Sequence, residues 1–166
     1  MELSHPIMKN FESINSHSCI YLGNISEPQD NSLRLVIEEG SFDDTERPLD
    51  PLMCEILGIP APDPDKQTDI YEVIFESYIG YTVLDESYLP LAKKSDETPP
   101  PVFRVYQQSK YLEFIKDSTQ AVITHEGKLQ QYSFTCLNHL IDVIANEPPV
   151  IRNIAKRSGA NGVELM

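Results

Sequence analysis

The strongest constraint on the fold is an alternation of apolar and polar residues from Ile70 to Leu84. Glu72, Glu76 and Thr82 lie on one face of the pattern, and the opposite parity carries Tyr71, Val73, Phe75, Ile79, Tyr81 and Val83. Successive side chains of a β-strand point to opposite faces of the sheet, so this period predicts a half-buried strand. We expect one long strand with a bulge or bend at Gly80. A hairpin is the alternative, but no two-residue turn pair lies in the middle of the segment.

Shorter runs of β-forming residues lie on both sides of this segment. Glycine, proline and short polar residues bound them, as is typical of strand ends. The predicted strands are 19–22, 33–37 and 102–106, and segments 121–125 and 129–135 are predicted to pair as a hairpin around Glu126 and Gly127.

Helical spacing appears in three places. Ile7, Phe11 and Ile14 predict a short N-terminal helix, and Ser109 is a suitable N-cap for a helix that reaches about Lys116. The clearest helical pattern comes later and ends before Pro148 and Pro149. Its apolar face comprises Leu137, Leu140, Ile141, Ile144 and Ala145.

Proline divides the rest of the chain into irregular stretches. Residues 41–68 and 90–101 are predicted to be Pro-rich loops, with a helical turn only at 49–57 in the first. We expect the tail to fray from about residue 158. The whole chain, 1–166, is predicted to be a single α+β domain. Its architecture is a mostly antiparallel sheet of five to seven strands with two or three helices packed on one face.

The net charge of −13 is concentrated in the middle of the sequence. Residues 27–97 carry 18 acidic and 5 basic side chains, whereas the acids and bases outside this stretch cancel. A negative field repels phosphate backbones and anionic lipid surfaces, so neither nucleic acid nor membrane is expected as a partner. A basic protein partner is favoured by charge complementarity. Solubility alone is the alternative explanation of the charge.

Cysteine content and the N-terminal segment indicate a cytoplasmic protein. The three cysteines, Cys19, Cys54 and Cys136, are far apart and belong to no disulfide or zinc-binding pattern. We expect buried free thiols. No secretory signal is recognisable at the N-terminus, and no stretch approaches the length of a membrane-spanning helix.

No local motif for catalysis, phosphate binding or metal binding is present, so no catalytic residue, metal ligand or cofactor is assigned. His5 and His17 have no sequence neighbour that completes a metal site. Two weaker arrangements remain on the predicted last helix: His139 with Asp142, and His139 with a Cys136 thiol near the helix N-terminus. A third is Glu72 with Glu76, which Arg34 or Arg104 on neighbouring strands would meet.

Tyrosines and carboxylates are interspersed near the long predicted strand. Tyrosine is enriched in interface cores, so this face is predicted to bind a partner. The predicted partner-binding residues are Tyr71, Glu72, Glu76, Tyr78, Tyr81, Asp85 and Glu86. The resulting hypothesis is a non-enzymatic acidic module that docks a basic protein. In size and charge the chain resembles the small acidic immunity proteins that neutralise bacterial toxins.

Two alternatives belong to other functional classes. One is a small-ligand-binding or enzymatic α+β domain with its pocket between the sheet and the predicted last helix, near His125, Cys136 and His139. The other is a structural subunit of a homo-oligomer, joined through a sheet edge or an exposed aromatic face.

Overall fold

The computed structural model of the chain describes residues 6–40, 56, 68–88, 101–125 and 127–154. Three helices lie in this part of the chain: α1 (Pro6–Asn15), α2 (Lys110–Ser118) and α3 (Ala121–His125). Eight strands accompany them: β1 (Ile20–Ser26), β2 (Leu33–Glu39), β3 (Ile70–Phe75), β4 (Gly80–Asp85), β5 (Phe103–Tyr106), β6 (Gln130–Thr135), β7 (His139–Ala145) and β8 (Val150–Asn153). A single 3₁₀ turn, Glu86–Tyr88, follows β4.

The eight strands form two antiparallel sheets of four. The first sheet has the order β1-β2-β3-β8, and the second has the order β4-β7-β6-β5. The α+β class and the antiparallel pairing are therefore confirmed. The prediction of one sheet with five to seven strands is wrong, because the described strands divide between two sheets that cover each other.

The two sheets enclose one shared core. Leu33, Leu35 and Ile37 of β2 are fully buried on the inner face of the first sheet. From β3, the ring of Phe75 lies 5.5 Å from the ring of Tyr132, a residue of β6 in the second sheet. The inner side chains of facing sheets interdigitate in this way in a β-sandwich. Burial between the sheets is the main source of stability, because the hydrophobic effect scales with the apolar area removed from water.

The predicted long strand from Ile70 to Leu84 is instead two strands in different sheets. β3 pairs with β2 and β8, whereas β4 pairs with β7. The chain changes sheets between them, and the Tyr78 N–H donates to the Asn31 carbonyl on the way, at 3.1 Å. Tyr71 and Tyr81 are an even number of positions apart in the sequence. Both side chains face the shared core, each from its own sheet. β3 and β4 do not pair with each other, so the prediction that this segment is not a hairpin is confirmed.

The segment with the clearest helical pattern is strand β7. Its residues Ile141, Val143 and Ala145 lie in the shared core, whereas Ile144 points to the outer face and packs against Leu112 and Ile115 of α2. A strand buried on both faces is apolar at nearly every position. Such a run also satisfies helical spacing, so periodicity could not separate the two structures.

The predicted strand 121–125 is helix α3, whereas its predicted partner, 129–135, is confirmed as β6. The turn before β6 is present, with Gly127 at a φ of 77°, a region that glycine adopts without strain. Helices α2 and α3 cover the outer face of the second sheet through contacts with Leu129 and Ile144.

Helix α1 occupies a different position from α2 and α3. It lies against β8 of the first sheet and β5 of the second, so it closes one open side of the sandwich. The rings of Phe11 and Phe103 are 4.8 Å apart. The Asn15 side chain donates to the Phe103 carbonyl at 3.0 Å and accepts from the Phe103 N–H at 2.9 Å. The prediction that all helices pack on one face is therefore wrong.

Several local predictions are confirmed. The N-terminal helix, the strands near 19–22, 33–37 and 102–106, and the N-cap of α2 are all present. The Leu112 N–H donates to the Ser109 side-chain oxygen at 3.0 Å. The loops at 41–68 and 90–101, the helical turn at 49–57 and the tail from 158 fall almost wholly outside the described residues. None of the described helices is long and apolar enough to span a membrane.

Candidate functional site

The structure places the seven predicted partner-binding residues in five different environments. Tyr71 is buried on the inner face of β3. Glu72 lies on the outer face of the same strand, where its Oε2 is 2.7 Å from Nε of Arg34 on β2. The predicted meeting of Glu72 with Arg34 is thus observed. Glu76 is exposed beyond the end of β3.

Tyr78 and Tyr81 form a half-buried pair where the chain enters the second sheet. Their rings meet edge to face, with centroids 5.1 Å apart. The hydroxyl of Tyr78 donates to the carboxylate of Glu27. This hydrogen bond, more than burial, raises the pKa of Tyr78 to about 12. Both rings pack against the shared core, so only part of each ring is accessible to solvent.

The remaining predicted residues lie on an exposed segment, 83–88, which we call the β4 surface. Val83, Leu84 and Tyr88 are 40%, 39% and 77% exposed, and Asp85 and Glu86 lie between them. The Ser87 N–H donates to Asp85 Oδ1 at 2.8 Å, and this bond lowers the pKa of Asp85. Apolar side chains and ionised carboxylates are therefore neighbours on one exposed segment.

Acidic residues are distributed unequally over the fold. Segments 20–40 and 68–88, which form β1 to β4, carry nine acidic side chains and one basic side chain, Arg34. The other described residues carry five acidic and six basic side chains. Among the described residues, the excess of acidic over basic side chains therefore lies on the first sheet and on β4 at the edge of the second sheet.

The proposed reactive pair of Cys136 and His139 is wrong, because Cys136 lies in the turn between β6 and β7 and no helix begins there. The Cys136 N–H donates to the His139 carbonyl at 2.8 Å. Burial raises the pKa of the Cys136 thiol to about 12, so the thiol stays protonated and unreactive. The pairing of His139 with Asp142 is also wrong, because residues three apart on a strand point to opposite faces. The predicted ligand pocket was expected between the sheet and a last helix. Segment 139–145 is strand β7, so no helix is present there to form that wall of the pocket.

Asp142 belongs instead to a polar network beneath α2. Its Oδ1 accepts hydrogen bonds from Ser133 Oγ at 2.6 Å and from Gln131 Nε2 at 2.9 Å. The hydroxyl of Ser109 donates to Gln131 Oε1, so the network extends to the N-cap of α2. Every group named here has a partner within the network, which is the arrangement of a structural anchor for the helix.

A second cluster unites residues that are distant in the sequence. His17 follows α1, Glu39 ends β2 and Asp69 immediately precedes β3. His17 Nδ1 lies 3.5 Å from Glu39 Oε1, and its Nε2 lies 3.3 Å from Asp69 Oδ2. Of the described residues, these three form the group that could hold a metal ion. We call them the His17 cluster.

The register of the first sheet brings the two carboxylates together. Glu38 pairs with Ile70, so Glu39 and Asp69 are the next pair along the ladder, and the Glu39 N–H donates to the Asp69 carbonyl at 2.8 Å. Glu39 has the parity of buried Ile37, and Asp69 has the parity of buried Tyr71. Both carboxylates thus point to the inner side of the sandwich, at its rim.

Tyr71 connects the His17 cluster to the core. Its hydroxyl lies 2.7 Å from His17 Nε2 and 3.0 Å from Ser13 Oγ. Burial, opposed by the bond to Ser13 and aided by Asp69, raises the pKa of Tyr71, so the phenol stays neutral. A residue predicted to bind a partner at the surface therefore belongs to an internal polar cluster.

The sequence contains no local motif for the His17 cluster, because its three residues lie on separate elements that are distant along the chain. One feature of the sequence could have indicated it. Glu39 and Asp69 each lie two residues from an inward-facing residue, Ile37 of β2 and Tyr71 of β3, so both carboxylates are expected to face inward. Comparison with known proteins adds no further guide: no family model, curated protein or solved structure matches the chain.

Proposed function

We propose that this chain is a non-enzymatic, acidic protein-binding module that docks a basic segment of a partner protein along β4. The observation that carries the proposal is the composition of the β4 surface. The carboxylates of Asp85 and Glu86 lie there between the exposed apolar side chains of Leu84 and Tyr88, and no basic residue occurs between 68 and 88. Apolar groups supply contact area, and carboxylates select a cationic partner.

The position of β4 in the sheet supports the same proposal. β4 is an edge strand: among the described strands, only β7 pairs with it. In the part of the chain that the structure describes, no strand pairs with the other side of β4, and addition of a strand to such an edge is a common mode of peptide recognition. A partner strand with Lys or Arg beside apolar residues would match both the backbone edge and the side chains of Leu84 and Asp85.

Site-specific photo-crosslinking in the native cell tests the location of the interface. A benzophenone amino acid replaces Tyr88, and the matched control replaces Phe114, an aromatic residue of α2 that is 61% exposed. We expect a discrete cross-linked product from position 88 only, and the captured protein should be basic. Cross-linking from position 114 alone, from neither position, or to an acidic protein would overturn the proposal.

Charge neutralisation then tests the chemistry with the purified partner. Asp85→Asn with Glu86→Gln removes two charges from the β4 surface, and Asp117→Asn with Glu113→Gln removes two from exposed positions on α2. The first double variant should weaken binding roughly tenfold and the second should not, because only the first removes carboxylates from the proposed interface. Added salt should weaken wild-type binding, because the screening length is only about 8 Å at physiological ionic strength.

A further inference from the structure

We propose that His17, Glu39 and Asp69 form a binding site for a divalent transition-metal ion of the zinc type. One ligand atom from each residue lies within 4.8 Å of the other two. This inference is independent of the β4 surface, because the His17 cluster lies at the rim of the first sheet and shares none of its residues.

Each carboxylate is held by a protein donor on one oxygen and directs its other oxygen to the histidine. Asp69 Oδ1 accepts from Asn153 Nδ2 at 2.8 Å, which leaves Oδ2 facing His17. Glu39 Oε2 accepts from the Asp69 N–H at 3.1 Å, which leaves Oε1 facing His17. Outer contacts of this kind orient the ligands of natural metal sites.

The spacing of the ligand atoms suits a small divalent ion. Ligands bonded at about 2.0–2.1 Å to tetrahedral zinc lie about 3.3 Å apart. The two closest approaches involve different ring nitrogens: Nδ1 lies 3.5 Å from Glu39 Oε1, and Nε2 lies 3.3 Å from Asp69 Oδ2. One nitrogen and the two carboxylate oxygens lie within 4.8 Å of one another, so small side-chain rotations would bring all three ligand atoms to a single ion.

The chemistry of the ligands selects the class of metal. Imidazole favours zinc, copper, iron and nickel, whereas magnesium and calcium prefer sites made of oxygen alone. Two carboxylates and a neutral imidazole carry a charge of −2, which matches a divalent ion. The side chains of His17, Glu39 and Asp69 are 11%, 30% and 43% exposed, so an ion can enter from solvent. Three protein ligands leave a further position for water.

Titration calorimetry on the full chain, stripped of metal with a chelator, tests the site. We expect one Zn²⁺ to bind per chain and Mg²⁺ not to bind. The variants His17→Gln, Glu39→Gln and Asp69→Asn should each weaken Zn²⁺ binding at least tenfold. The matched control is Glu38→Gln, which removes the same charge from the opposite face of β2 and should bind Zn²⁺ as the wild type does.

Two further measurements keep the inference testable if a ligand variant fails to fold. Asn153→Ala leaves all three ligands in place and should weaken Zn²⁺ binding roughly tenfold, because Asp69 loses its orienting contact. Co²⁺ bound to the wild type should give visible absorption without a thiolate-to-metal charge-transfer band, since the ligands are nitrogen and oxygen.

Three results would overturn the inference. The first is a wild-type chain that binds no Zn²⁺, which would make the cluster a hydrogen-bonded group only. The second is unchanged Zn²⁺ binding by the His17→Gln variant. The third is a thiolate band in the Co²⁺ spectrum, which would place the metal at a cysteine.

Discussion

The hydroxyl of Tyr71 lies 2.7 Å from Nε2 of His17, so a tyrosine of the buried core holds the imidazole of the His17 cluster in place at the rim of the sandwich. The ring of Tyr71 contributes to the core, and its oxygen joins helix α1 to strand β3 through His17 and Ser13. Tertiary packing thus gives one residue two roles, and the substitution Tyr71→Phe separates them.

Tyr71→Phe keeps the ring and removes the hydroxyl. We expect the free energy of unfolding to fall by about 1–2 kcal/mol, because His17 Nε2 and Ser13 Oγ each lose a partner. Urea denaturation measures the change, and Tyr88→Phe, at an exposed position, is the control and should have no effect. A stability unchanged from the wild type would mean that the hydroxyl does not join α1 to β3.

The side chain of Asn138, in the turn between β6 and β7, joins the second sheet to β1 of the first. It accepts from the Leu22 N–H at 2.9 Å and donates to the Leu22 carbonyl at 3.0 Å, next to the bulge in β1 at Gly23. Asn138→Ala leaves both backbone groups of Leu22 without these bonds, so we expect a loss of roughly 2 kcal/mol in thermal or urea unfolding. Asn138→Asp restores the acceptor only and should recover part of the loss.

Asn24, an exposed asparagine of β1, provides the reference for this measurement. Asn24→Ala should change the free energy of unfolding by no more than about 0.5 kcal/mol, since substitutions of exposed side chains have small effects. Equal losses from Asn24→Ala and Asn138→Ala would contradict the role assigned to Asn138.

The thiol of Cys136 should make stability depend on alkaline pH. Burial raises its pKa from 9.0 to about 12, so the folded chain keeps a proton that the unfolded chain releases above pH 9. The stability that depends on this thiol is complete below pH 9 and is lost as pH rises towards 12, by up to about 1.4 kcal/mol per pH unit. Urea unfolding at each pH measures the free energy of unfolding of the wild type and of Cys136→Ala. The difference between the two values should fall with pH at this slope.

Alkylation supplies an independent check on Cys136. At pH 8 the folded chain should resist iodoacetamide at this position, and the urea-unfolded chain should react, as peptide mass mapping would show. Rapid alkylation of Cys136 in the folded chain would contradict its burial.

The ion pair between Arg34 and Glu72 is partly exposed, so its contribution should be small. We expect a double-mutant cycle of Arg34→Met and Glu72→Gln to give a coupling of about 0.5–1 kcal/mol, reduced at high salt. Arg34→Met with Glu76→Gln is the matched cycle, because Glu76 lies beyond the strand, and it should give no coupling. Equal coupling in the two cycles would point to a general charge effect rather than a specific pair.

The sequence predicted those elements whose signals are local. Ser109 can cap a helix whatever its surroundings, because its oxygen reaches an N–H three residues away. The period-two pattern of β2 and β3 likewise arises from one buried face. The acidic character of segments 20–40 and 68–88 is also a property of composition, and it alone supports the expectation of a basic partner.

Other features depended on partners that are distant along the chain. Segment 139–145 is a strand because β4 and β6 pair with it and α2 covers its outer face, and no local period records those neighbours. The chain between Phe75 and Gly80 passes from the first sheet to the second because β4 pairs with β7. His17, Glu39 and Asp69 meet because strand register and the end of α1 place them together. Composition and local pattern thus determined the class, the charge and most of the strands. Only tertiary structure could decide sheet membership and assemble the cluster, because both arise from contacts that a local pattern cannot encode.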